Sequence, residues 1–248
     1  MKSLINNIMG IRREDRGISL LMFAYFFLVI TSFWILKPLK KGLFIQYYKD
    51  IDGLNLWGWQ MTGSQAEQLA KVLNMVVALV AVLVFTWLAR HFRRQALTYI
   101  FSGFFLAAFE WFSVVIDTPN AWQVWFFYLF GDLYSTVMVA TFFAFLNDSF
   151  TSENAKRNYG PIVLGGVMGG AFGSMFVRVW IEDLANSDWL RVLFGIGVFI
   201  VILAFIAGHL VEKRPRFKVP EAVDTDASNV DRKTLLEGAS LVFRSRYL

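Results

Sequence analysis

Five ionisable residues stand in or against apolar sequence: Lys37, Lys40, Lys41, Glu110 and Asp132. The three lysines follow a nearly uninterrupted apolar run from Ile18 to Leu36, and apolar residues resume at Leu43. Their spacing of three and four places all three on one face of a continuing helix. Charge inside a membrane span is costly and by default marks a pathway or a ligand site. The alternative is that these lysines snorkel to the outer interface. Asp132 is the sharper signal, because Phe126 to Phe130 precede it and Leu133 and Tyr134 follow it. A carboxylate at mid-membrane costs at least about 2.5 kcal/mol unless it is paired or faces water. It therefore reads either as a coupling or substrate-site charge or as one member of a structural pair. Glu110 is shallower in its segment and carries the same two readings, coupling or pairing.

The elements that must position these groups are apolar helices. A hydrocarbon core of about 30 Å needs about 20 helical residues. Six segments meet that need: Ile18 to Leu36 (with a helical extension toward Tyr48), Ala66 to Ala89, Ala96 to Ile116, Ala121 to Leu146, Tyr159 to Ile181, and Trp189 to Val211. Residues 49–65 read as a loop with interfacial tryptophans, and Asp117-Thr118-Pro119-Asn120 as a turn. The expected fold is an all-α, polytopic transmembrane bundle of six spans over residues 1–211. Residues 212–248 follow as a linker, polar and acidic from Pro220 to Asp231 and weakly helical in pattern from Lys233. Arg244 to Leu248 reads as the lead-in to a seventh helix, so residues 1–211 are expected to be one half of a longer protein.

Composition supports this class. Of 248 residues, 56% are hydrophobic and only 17% charged, which an ordinary soluble domain does not show. The net charge of +5 is spread over short loops rather than massed in one basic patch, so no nucleic-acid partner is expected. The chain has no cysteine and two distant histidines, His91 and His209, which excludes disulfides and disfavours a histidine-rich metal site. No cleavable signal peptide is evident. No phosphate-binding Gly-Lys-Ser/Thr loop, no dinucleotide fingerprint and no Ser/His/Asp set is present, so neither enzymatic activity nor a cofactor is expected.

Loop charge sets the orientation. The lead-in, the turn at 90–94, the pair Lys156-Arg157 and the cluster at 213–218 hold 13 lysines and arginines, whereas the opposite loops hold Lys49 and mainly acids. The positive-inside rule then places both termini in the cytoplasm. Within the fifth span, Gly165, Gly166, Gly169, Gly170 and Gly173 make overlapping small-residue faces, suited to close helix packing. Gly160-Pro161 reads as the opening of that span. Lys71 and Arg178 suit snorkelling at the outer boundary, and Asn74 suits a hydrogen bond across helices. Six spans with both ends inside and a basic turn after the second suggest half of a twelve-helix transporter, with inverted three-helix repeats and a site facing the second half.

Two segments carry a narrower likeness. Ile35-Leu36-Lys37-Pro38-Leu39-Lys40-Lys41-Gly42-Leu43 resembles the first-helix motif of the bacterial and plastid ATP:ADP antiporters, a family of major-facilitator type. Glu153-Asn154-Ala155-Lys156-Arg157-Asn158-Tyr159 resembles that family's stretch before the fifth helix. The resemblance implies nucleotide transport, with ATP and ADP as substrates, from a multi-pass position in the bacterial inner membrane. It implies that Lys40 and Asp132 correspond to a first-helix lysine and a fourth-helix glutamate important for transport, and that Lys37 stands at an arginine position. Pro38 stands at an acidic position, and Asp132 is one methylene shorter than glutamate. On this footing Lys37, Lys40 and Lys41 suit a polyphosphate as compact point charges, and Asp132 opposes one of them in the empty state. The expected partners are nucleotide, the lipid bilayer and a second six-helix half. Two further classes compete: a proton-coupled carrier of another solute with Asp132 and Glu110 as relay acids, and a non-transporting membrane anchor.

Overall fold

Long runs of Leu, Ile, Val, Phe, Ala and Met satisfy the backbone internally as helices wherever water is excluded. In a computed structural model, which describes residues 16–212 apart from 57 and 151, six helices follow this logic. They are α1 (Arg16–Asp50), α2 (Gly63–His91), α3 (Arg94–Val115), α4 (Ala121–Ser149), α5 (Ser152–Trp180) and α6 (Asn186–Glu212). Each is long and apolar enough to cross a membrane. The expected linker 212–248 lies outside the described residues from 213 on, as do the basic cluster at 213–218, the lead-in before Arg16 and the side chains from Glu153 to Lys156.

Helix ends follow local chemistry in three places. First, α1 runs 35 residues without a break, through Pro38 and on to Asp50, completing the expected extension toward Tyr48. Proline lacks a donor, so the Trp34 carbonyl goes without its usual helical partner one turn before the lysines. At about 1.5 Å per residue, α1 is longer than the hydrocarbon core is thick. Second, the segment after it is not a plain loop. Gly53, with φ at +102°, turns the chain into a hairpin of β1 (Leu54–Leu56) and β2 (Trp59–Met61), antiparallel with Leu54 opposite Met61. A side chain at Gly53 would strike the Met61 carbonyl, so the turn needs both the left-handed backbone and the missing Cβ. Third, α4 and α5 extend toward each other and consume most of the expected 147–158 loop. Pro161 consequently sits inside α5 rather than opening it. The start of α4 matches its sequence: the Asn120 side chain accepts from the Gln123 amide at 3.0 Å, and the Gln123 side chain accepts from the Asn120 amide at 2.8 Å.

Two kinds of packing tie the bundle together. The α1–α5 contact is the most extensive, and glycines cause it. A Cβ at Gly165 would lie 2.6 Å from the Phe23 carbonyl oxygen, and one at Gly173 would lie 2.7 Å from that of Thr31. Between them, Thr31 Oγ1 donates to the Gly169 carbonyl at 3.2 Å. The glycines are therefore packing residues. Aromatic rings fill the rest. Phe26 stacks on Phe142 at 4.4 Å between α1 and α4, and Phe105 and Phe109 pack on Phe130 and Tyr134 between α3 and α4. Ser32 and Tyr134 share a hydrogen bond of 2.6 Å inside this core.

Helix α2 stands apart. It buries only Gly63, Ala66, Glu67, Ala70 and Ala81, and it packs on α1 and α4 but scarcely on α3. Leu73, Met75, Val76, Leu79, Val82, Leu83 and Trp87 are exposed along it. Its first turns join a separate small core of Phe44, Tyr48, Ala66, Ala70, Val124 and Tyr128.

Candidate functional site

The charged residues gather where that small core meets α1, α2 and α4. Lys40 lies on α1, one turn below Phe44, and only 6% of its side chain is exposed. Its ammonium forms an ion pair with Asp132 Oδ1 across the α1–α4 contact. Gly131 makes this approach possible, because a Cβ there would lie 2.6 Å from Lys40 Cδ. The ammonium also stands 4.5 Å from the centre of the Tyr128 ring, one helical turn before Asp132. The other Asp132 oxygen accepts from Asn74 Nδ2 on α2 at 2.7 Å. The carboxylate is thus satisfied from two helices, and 28% of it remains exposed.

A second acid lies beside the first. Glu67 on α2 is 4% exposed. Its Oε1 accepts from the Tyr128 hydroxyl and from Lys71 Nζ, each at 3.2 Å. Its Oε2 faces Lys41 Nζ at 3.7 Å. Lys41 and Lys71 are half-exposed, at 54% and 49% of their side chains. Tyr128 joins the two clusters, with its ring against Lys40 and its hydroxyl on Glu67. Trp125 Nε1 donates to the Tyr48 hydroxyl at 2.5 Å and closes the aromatic wall behind them.

Of the residues singled out from sequence, Lys40 and Asp132 come together as opposing charges. Lys41 joins them through Glu67 rather than through Asp132. The three lysines do not act as one face, because a helix turns about 100° between adjacent residues and so separates Lys40 from Lys41. Lys37 is exposed, with its ammonium 5.1 Å from the Trp34 ring and 5.5 Å from that of Phe33. Glu110 is exposed on α3, and among the described residues it forms no ion pair. Among the described residues no hydrogen bond links its side chain to Asp132. Asn74 does bond across helices, as its type suggested. Lys71 pairs with Glu67 instead of simply reaching outward.

Glu67 escaped the sequence reading, although a signal was present. Glu67, Lys71 and Asn74 stand four and three residues apart, one polar stripe on an otherwise apolar helix. Chemically, the site can bind an anion at the lysine ammonium groups and can trade that anion against its own carboxylates. Among the described residues no group of His, Asp and Glu could hold a metal ion. Compared with protein-family models, curated protein sequences and solved structures, the chain finds no match in any of the three.

Proposed function

We propose that this chain is the six-helix half of a membrane carrier of major-facilitator type that moves anions by alternating access, with ATP/ADP exchange as its activity. The observation that carries the reading is the buried Lys40–Asp132 pair, made between two helices and reached by a third through Asn74. An ion pair that serves folding alone could be replaced by apolar packing at little cost. A buried cation beside an acid that is still partly exposed suits a site where an incoming anion competes for the lysine.

In this reading both termini are cytoplasmic, the chain sits in the bacterial inner membrane, and a second six-helix bundle completes the site. Lys40 is the principal cation, Lys41 and Lys37 assist it, and Asp132 is its counterion in the empty state. The exposed position of Glu110 favours exchange over a two-acid proton relay. The test is exchange by this chain together with its second half, in liposomes loaded with ADP and presented with labelled ATP. Lys40→Gln and Asp132→Asn should each abolish exchange while folded protein remains in the membrane. Normal exchange by Lys40→Gln would remove that lysine from the site and the proposal with it. An anchor would tolerate both changes with no transport to lose.

A further inference from the structure

Resting on that reading, we propose that Lys41 and Lys71, bridged by Glu67, form a second anion seat beside the Lys40–Asp132 pair, and that Glu67 is the resident anion a multivalent phosphoryl solute displaces. Three observations carry this. The first is an inversion of the ordinary surface pair. In Arg191–Asp188, at 3.0 Å, both partners are exposed. In the α1–α2 cluster the acid is buried and its two cations are half-exposed. A solute can therefore reach both ammonium groups without parting any helices. Both touch one carboxylate, so they are spaced to be shared by one polyanion.

The second observation is the charge balance. Lys40, Lys41 and Lys71 face Glu67 and Asp132, which leaves one positive charge over in this cluster. A monoanion would neutralise it with every internal pair intact. A solute with more negative charge meets full compensation only if a resident carboxylate gives way. Glu67 is the acid whose cations are open to such competition, whereas the Asp132 cation is buried. The third observation is Tyr128, which gives Glu67 its hydrogen bond and gives Lys40 its ring. Displacing Glu67 removes the acceptor of that hydroxyl, so the two seats are linked by one side chain. Glu67 is thus a positioning residue, and Lys41 and Lys71 are binding residues.

The probe is inorganic pyrophosphate, applied to the full chain in phosphatidylcholine nanodiscs. Lysines are acylated with an amine-reactive reagent and the sites are read by mass spectrometry. Pyrophosphate should protect Lys41 and Lys71 together, at one half-saturating concentration, while exposed Lys49 continues to react. Lys71→Gln, at a half-exposed position, should weaken protection of Lys41 about fivefold, the size of a partly exposed ion pair. Glu67→Gln keeps an acceptor for Tyr128 but removes the competing charge, so it should tighten pyrophosphate about fivefold. A merely structural Glu67 would give no tightening. Protection of Lys41 without Lys71, or Glu67→Gln binding no tighter, overturns the proposal. So does protection produced by phosphatidylglycerol without pyrophosphate, which would make the occupant a lipid headgroup. Should Glu67→Gln not fold, the wild-type footprint and Lys71→Gln decide. Absence of nucleotide exchange by this chain together with its second half, with an intact pyrophosphate footprint, would refute the carrier reading and leave the seat standing. Unchanged exchange affinity in Lys71→Gln would do the reverse.

Discussion

Neutralising the two members of the Lys40–Asp132 pair should not cost the same. In Asp132→Asn, Lys40 keeps a side chain only 6% exposed, and its remaining partner is the Tyr128 ring at 4.5 Å. A cation–π contact contributes about 0.5–2 kcal/mol, less than a buried carboxylate partner. Breaking a buried pair from one side costs about 3–5 kcal/mol, and the partial exposure of Asp132 puts this case near about 3 kcal/mol. In Lys40→Gln, the carboxylate left behind is 28% exposed and still accepts from Asn74 at 2.7 Å. That loss should be nearer about 1–2 kcal/mol. At about 2–4 °C per kcal/mol for a domain of this size, Asp132→Asn should lower Tm by about 6–12 °C and Lys40→Gln by about 2–8 °C. The double variant should fall short of the sum, because the second change removes a charge already stripped of its partner. Thermal unfolding of the full chain in detergent, followed by tryptophan fluorescence, measures all three. Equal shifts for the single variants, or a larger loss for Lys40→Gln, would refute the asymmetry and the burial argument beneath it.

Two further outcomes are expected. Gly169→Ala places a Cβ against the Phe27 carbonyl and should cost about 1–3 kcal/mol, whereas Gly195→Ala meets nothing within 4 Å and should be neutral or stabilising by up to about 1 kcal/mol, both read from the same melts. Because the chain has no cysteine, single cysteines report topology without background. One at Asn186 should react with an impermeant maleimide in intact cells and one at Lys156 only after permeabilisation, and the reverse pattern would overturn the orientation.

The six helices were legible because each apolar run is long enough to dictate its own structure. Their ends were less so. The α4–α5 junction closes down although Asn147 and Asp148 are weak helix formers, and the Tyr159 hydroxyl of α5 donates to the Asn147 side chain of α4, a contact that neither hydropathy nor propensity predicts. The 54–61 hairpin depends on a left-handed Gly53 and on its Met61 contact, which no periodicity reveals. At the site, Asp132 and Lys40 stood out because each breaks an apolar context. Glu67 did not, because it lies at the start of its span, where an acid is unremarkable by depth. What makes it unusual is burial, and burial came from Tyr128 and the small residues Ala66 and Ala70 around it. Lys37 shows the converse. Its sequence neighbours suggested a shared role, but its ammonium lies by the Trp34 and Phe33 rings and pairs with neither acid.

The division of packing gives the charged row its consequence. Helix α1 is tied to α5 by backbone approaching glycine, and α3, α4 and α6 are tied by buried rings and aliphatic side chains. Those contacts do not respond to an ion, because dispersion and burial are indifferent to what occupies a lysine. The attachment of α2 is different. Besides Gly63 against the Ile45 backbone, the buried alanines Ala66, Ala70 and Ala81, and the Phe85 ring stacked on Phe101, it is tied through Glu67 to Tyr128 and Lys41 and through Asn74 to Asp132. An anion that takes Lys41 and Lys71 competes with the first of these links, and one that takes Lys40 frees the acid at the end of the second. Under the proposed function, binding energy at this site would act on the links of α2 and on the Lys40–Asp132 pair between α1 and α4. A ligand shifts a conformational equilibrium only by its difference in affinity for the two states. In the proposed function that difference would reside in the polar contacts of α2 and in the Lys40–Asp132 pair, which an anion on the lysines would replace.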